Sequence, residues 1–362
     1  MDSIIGILFR DWFALLKKHK FKIHPKHLLK VLFITFRSFI NSRDHKKEIQ
    51  QFESLIQKTE IEHDPVFIIG HWRSGTTFLH YLLSQDKHFA FTNVFEGRNP
   101  HTFLSNQALL EKRLERYKPQ KRVMDNVSVQ LISPAEDEFA MAIIALKSPL
   151  LGWLFPQNRD YYDRYISFET VPEEELNYWK NRYLYFIKKL TLKYKRQLLL
   201  KSPINTARIR HLLNIFPKAK FIHIHRNPYD VFRSSLKLFN TAVRNSELTN
   251  SSLQNFEEYI LSHYKKMYDA FFKDVSLIES DCYCDVAFEA LEQDSLSVIQ
   301  HIYQTLGFDH FEQIKANVLR YLEENSNYKK NIYKPIEPVL LKKINENWER
   351  SFYEWGYKIQ QI

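Results

Sequence analysis

An arginine, a glycine and a threonine pair stand close together in Gly70-His71-Trp72-Arg73-Ser74-Gly75-Thr76-Thr77. Backbone N–H groups, hydroxyls and a guanidinium in one glycine-bounded loop can hold a phosphate or sulfate group. The spacing Gly70-x4-Gly75 matches the GxxxxGK[ST] loop of nucleotide kinases, but Thr76 stands where those loops carry lysine. That lysine offsets β- and γ-phosphate charge, so a nucleoside triphosphate is poorly held here. Arg73 supplies the cation instead, in a forked geometry suited to phosphate oxygens.

A second anion site is spelled by Arg226-Asn227-Pro228 and Ser234, eight residues after the arginine. Arg226 ends an apolar run, and Ser234 falls about a turn and a half into the following helix. A third cation, Lys201, closes the run Gln197 to Leu200 and precedes Ser202-Pro203. All three cations are expected at the carboxyl ends of strands, the ligand edge of an open α/β sheet.

The elements needed to position them are legible. Val66-Phe67-Ile68-Ile69 is a short, unbroken apolar run, as in a strand buried on both faces, and Phe78 to Leu83 has helical periodicity. Residues 197–239 predict strand, helix (Thr206 to Phe216), strand (Lys220 to His225) and a helix opened by Pro228, hence parallel strands with right-handed crossover. Asp285 to Leu291 predicts a further strand and turn, followed by a helix from Ser295 to Leu306. Trp348, Phe352 and Trp355 form the buried stripe of a last helix.

The string Arg73-Ser74-Gly75-Thr76-Thr77 after a buried strand resembles the 5′-phosphosulfate loop of sulfotransferases that use 3′-phosphoadenylyl sulfate (PAPS), and Arg226 with Ser234 resembles their 3′-phosphate motif. The resemblance covers roughly residues 64–357. It implies an α/β fold, a central parallel sheet flanked by helices in the P-loop NTPase-like sulfotransferase arrangement, with a helical N-terminal arm. It further implies PAPS as sulfuryl donor, adenosine 3′,5′-bisphosphate as product, and no metal. The acceptor is a hydroxyl, or an amine, of a carbohydrate, lipid or small molecule. Lys201 is then expected to stabilise charge on the bridging oxygen as the sulfuryl group leaves. Lys329 and Lys330, in the basic stretch Tyr328 to Tyr333, are similar to loops that close over the nucleotide. Glu289 reads as scaffold.

The acceptor needs a base. Ser133-Pro134 signals a helix start, and Glu136, Asp137 and Glu138 follow in a segment similar to one the family carries between its phosphate motifs. On a helix Glu136 and Glu138 project ~200° apart, so at most one faces a cleft, and Glu138 is preferred. Glu96 and His71 are the fallback bases. Trp153 to Pro156 reads as an acceptor-pocket wall within an aromatic-rich stretch.

The chain has 362 residues, of which 44% are hydrophobic, enough for a packed core. Its net charge of +10 is concentrated at the start: residues 1–60 hold 12 Lys and Arg against 6 Asp and Glu. Such a balance suits an anionic partner. No RNA-recognition or helix-turn-helix signature appears, so nucleic acid is not expected. The apolar stretch Leu28 to Ile40 contains Lys30 and Arg37 and is too short to span a bilayer. Two readings stand for residues 1–43: an amphipathic helix packed on the protein, or one lying on an anionic membrane surface. The domains expected are a basic arm, 1–60, and an α/β domain, 61–362.

Cys282 and Cys284 are read as facing opposite sides of a strand, as are His223 and His225, so neither pair is expected to share a metal. Cysteine usage fits a reducing, cytoplasmic setting, to which the membrane-lying reading of residues 1–43 would add peripheral attachment to the inner face of the membrane. Two rival classes remain: a P-loop nucleotide-dependent kinase, disfavoured by Thr76, and a non-catalytic basic protein that binds membrane or nucleic acid.

Overall fold

A computed structural model describes residues 4–125, 127–249, 256–327 and 331–361. The strands of the main sheet are β1 (Val66–Ile69), β2 (Phe89–Ala90), β3 (Gln197–Lys201), β4 (Lys220–His225) and β5 (Tyr283–Ala287). The helices used below are α1 (Phe9–Lys18), α2 (Leu28–Lys58), α3 (Thr76–Leu83), α4 (Asp137–Ile144), α5 (Glu173–Tyr194), α6 (Pro228–Leu238), α7 (Glu257–Asp274) and α8 (Pro338–Glu354). The chain divides into two compact units. One holds the described residues of 1–62, 91–196 and 241–254, the other those of 63–90, 197–240 and 255–362. The first 60 residues thus share their unit with two later segments.

The second unit contains the sheet, in order β2-β3-β1-β4-β5 with every pair parallel. The crossover from β3 to β4 passes over β1, which lies between them. Strand alternation sorts the core. Val66, Ile68, Ile222, Ile224, Cys284 and Val286 join one apolar cluster with α3 and the helices at 295–305 and 311–324. On the other face Phe67 meets Phe216 and Phe221, and His223 stacks on Phe271 of α7 at 4.3 Å. The expected helix at Thr206 to Phe216 is split into a 3-10 turn (Pro203–Ala207) and a helix (Ile209–Ile215).

The paired histidines correct the sequence reading, because residues two apart on a strand share a face. His223 and His225 both approach Asp285, at 2.8 and 3.9 Å. Cys284 is buried in β5, whereas Cys282 ends a 3-10 turn ahead of it, and both thiols are free.

In the first unit α1 and α2 pack together, and α2 also packs on α5. Buried Glu48 of α2 pairs with buried Lys189 of α5 at 2.5 Å. His19 stacks on Phe155 at 3.7 Å and hydrogen-bonds Asn158 and Tyr162. Among the described residues, no helix is long and apolar enough to cross a membrane.

Candidate active site

β1 hands the chain to the loop at Gly70, whose φ of 136° and position leave no room for a side chain. A Cβ there would lie 2.2 Å from the Ile224 carbonyl oxygen. Gly75, with φ 102°, would drive a Cβ to 2.2 Å from the Phe288 ring. Between them Arg73 holds φ 76°, a left-handed conformation that costs a non-glycine residue free energy. The Gly70 N–H donates to Thr206 Oγ1 at 2.7 Å and the His71 N–H to the Tyr268 hydroxyl at 3.2 Å. These bonds pin the loop to its neighbours.

Gly75 is the N-cap of α3, and no side chain caps that helix. Its first-turn N–H groups, on Thr76 and Thr77, therefore remain suited to an anion. Ser74 and Thr76 are buried, while Arg73 and Thr77 are half-buried.

The two motifs meet physically. Arg73 Nε donates to Ser234 Oγ at 2.8 Å, and Arg226 Nη1 reaches the Arg73 carbonyl oxygen at 3.4 Å. Arg226 lies over the Phe288 ring at 4.4 Å and 3.9 Å from Asp230, whose carboxylate accepts a closer bond from Arg233 at 2.5 Å. Asn227 opens α6 by accepting the Tyr229 N–H, and its own N–H is held by Glu289, which also takes the Tyr357 hydroxyl. Glu289 is scaffold, as expected. The result is a cavity of about 280 Å³ lined by Arg73, Arg226, Arg233, Ser234, Phe288 and Tyr333, among others.

Several of these were missed. Tyr333 donates to Ser234 Oγ at 3.0 Å and accepts from Asn331, which in turn accepts from Lys237. Asn331 and Tyr333 end the stretch read as a closing loop, but the sequence singled out its lysines and not these two side chains. Lys329 and Lys330 lie outside the described residues.

Lys201 is the last residue of β3, registered against Ile68 of β1, and buried. Burial, aided by the Lys201 charge, holds the His80 imidazole well below its ordinary pKa. His71 is also buried, which lowers its pKa to about 4 and leaves it neutral; it shares a hydrogen bond through Nδ1 with the Trp72 carbonyl oxygen at 2.7 Å.

The acidic segment departs from its expected start. Pro134 forms a β-bridge with Asn93, and the helix begins three residues later at Asp137, with Glu136 as N-cap. Asp137 is buried and accepts the Tyr183 hydroxyl at 2.7 Å; Glu138 is buried and Glu136 half-buried. Glu96, a fallback base, is occupied structurally. It completes a capping box with Asn93 and accepts from Lys193 and Tyr194.

Away from the cavity, Asp86 accepts from Tyr303 and lies 2.8 and 2.7 Å from ring nitrogens of His88 and His310. This donor grouping was invisible in the sequence, since His310 is 224 positions from Asp86.

A parallel sheet with a glycine-bounded loop after its central strand, and an arginine–serine pair beside it, defines a class. The chain belongs to the sulfotransferase family, whose profile matches residues 65–313, and it is an enzyme of that class. It is 30% identical, over 98% of its length and 90% of theirs, to the omega-hydroxy-beta-dihydromenaquinone-9 sulfotransferases Stf3 of Mycobacterium bovis and Mycobacterium tuberculosis. The fold is similar to those of sulfotransferase STF9 from Mycobacterium avium (TM-score 0.74, 16% identity, 94% of this chain and 88% of that one) and STF1 from Mycobacterium tuberculosis (0.61, 15%, 93% and 92%).

Proposed function

We propose that the protein transfers the sulfuryl group of PAPS to the hydroxyl of an apolar, lipid-like acceptor, working peripherally at a membrane surface. The observation that carries the donor assignment is the Arg73–Ser234 hydrogen bond, which joins both anion motifs at one cavity. The acceptor class follows from relatives named for a hydroxylated dihydromenaquinone.

In this reading the loop N–H groups and the α3 N-terminus hold the 5′-phosphosulfate, and Arg226 with Ser234 holds the 3′-phosphate. The acceptor oxygen attacks sulfur in line, and the bond from sulfur to the bridging oxygen breaks. Lys201 stabilises the charge that grows on that oxygen, a contribution larger in the transition state than in the ground state. Glu138 takes the acceptor proton, leaving the sulfated product and adenosine 3′,5′-bisphosphate. His71, neutral and inside the loop, is the second candidate base.

Adenosine 3′,5′-bisphosphate should raise the melting temperature, whereas magnesium-ATP should not. The reverse order would return the chain to the kinase reading. Transfer of labelled sulfuryl groups from PAPS into a lipid extract tests the acceptor class.

A further inference from the structure

Helix α2 is inside out over its first half. The residues it buries are Val31, Ile34, Ser38 and Asn41, spaced at three and four. Two of these four are polar, and both have partners: Asn41 donates to the carbonyls of Ile5 and Ile7, and Ser38 to that of Thr35. The opposite face carries Leu28, Leu29, Leu32, Phe33, Phe36 and Phe39, all exposed, with Leu29 at 82% and Leu32 at 64%. At 100° per residue these six side chains fall within an arc of about 140°, centred opposite the buried stripe. The face continues onto α1, because Phe39 stacks on Phe9 at 3.9 Å, Phe9 contacts Phe13, and Phe13 contacts Phe21. Of nineteen exposed large apolar residues among those described, eight lie between positions 13 and 39. A patch of this kind marks an interaction surface.

The geometry points to an anionic phospholipid bilayer as the occupant of this face, with α2 lying in the interface; this deepens, and rests on, the reading of an enzyme with a lipid-like acceptor. Charge selects the partner. Residues 9–40 contain eight Lys and Arg and one acid, Asp11. Lys17, Lys20, Lys22 and Lys26 are exposed beside the apolar face. An apolar stripe with a basic collar is the composition that enters the headgroup boundary and gains from anionic lipid. A second copy of the chain would bring two identical basic collars together, an arrangement disfavoured at an isologous contact.

Flotation with phosphatidylglycerol–phosphatidylcholine vesicles tests the assignment on the full chain. Expected is co-flotation with these vesicles and at least ~10-fold weaker partitioning into phosphatidylcholine alone. The double variant Phe33→Gln/Phe36→Gln, on exposed positions, should lose at least ~10-fold in partitioning. Lys20→Glu/Lys22→Glu should lose binding and the salt sensitivity of what remains. Each variant should keep the wild-type thermal shift with adenosine 3′,5′-bisphosphate, which reports folding and the donor site separately. Unchanged partitioning of Phe33→Gln/Phe36→Gln would overturn the proposal, as would wild-type protein that stays with the pellet. Sedimentation showing a dimer that this variant dissociates would assign the face to a second copy and overturn it too. Failure of the sulfotransfer reading would instead appear as a missing nucleotide shift with lipid binding intact.

Discussion

The Arg73 guanidinium donates from Nε to the Ser234 hydroxyl across 2.8 Å, linking residues 161 positions apart. Ser234 also accepts from Tyr333, so one hydroxyl joins the loop after β1, helix α6 and a late segment of the chain. A donor bound at the cavity would compete for these contacts.

Arg226→Ala should therefore weaken adenosine 3′,5′-bisphosphate by about 10- to 100-fold, the loss expected for one charge-assisted hydrogen bond. Ser234→Ala should cost less, about 3- to 10-fold, because a neutral hydroxyl contributes less. Calorimetric titration reads both, and wild-type affinity in Arg226→Ala would remove that residue from the donor site.

Lys201→Met keeps the length and apolar stem of a buried side chain while deleting its charge. If Lys201 acts as proposed, on charge that grows in the transition state, turnover should fall by about 100-fold or more, with the donor KM changed only a few-fold. A KM effect without a kcat effect would make Lys201 a binding residue.

Glu138→Gln should lower kcat by at least ~100-fold with nucleotide affinity intact. If Glu138→Gln turns over normally and His71→Gln does not, the base is His71. Thermal melts of each variant separate chemistry from folding.

Gly75→Ala combines a disfavoured φ with a Cβ directed into the Phe288 ring. About 1–3 kcal/mol of strain is expected from the backbone alone. Adding Phe288→Ala should relieve the ring clash and restore only part of the lost stability, as chemical denaturation would show.

Acid should destabilise the fold before the carboxylates titrate. His71 and His225 are buried and held at pKa values of about 4, below the ordinary 6.5. Above pH 6.5 the rings are neutral in both states. As pH falls from 6.5 towards 4 the unfolded chain binds protons that the folded one refuses, so stability declines across that window and levels off below it. Each histidine contributes roughly 3 kcal/mol at most. The urea midpoint between pH 7 and pH 4 measures this, and a flat profile contradicts it.

What the sequence revealed was local. The glycine loop, the Asn227-Pro228 helix start and the four-residue run of β1 are adjacent-residue signals, and the structure forms each where expected. What it concealed depends on distant partners. Pro134 could not be read as a bridge because Asn93 lies 41 positions earlier, and Tyr333 reaches Ser234 only through the fold. In α2, which side is buried depends on the distant carbonyls of Ile5 and Ile7, which reward burying Asn41 and leave the phenylalanines facing outward.

The central place of β1 has a consequence for biosynthesis. Its neighbours are β3 and β4, and Val66 waits for Leu199, about 130 residues later in the chain. At roughly 5–20 residues per second, the nascent Val-Phe-Ile-Ile segment stays without either flanking strand for on the order of ten seconds. Ribosome-associated chaperones should engage the chain during that interval.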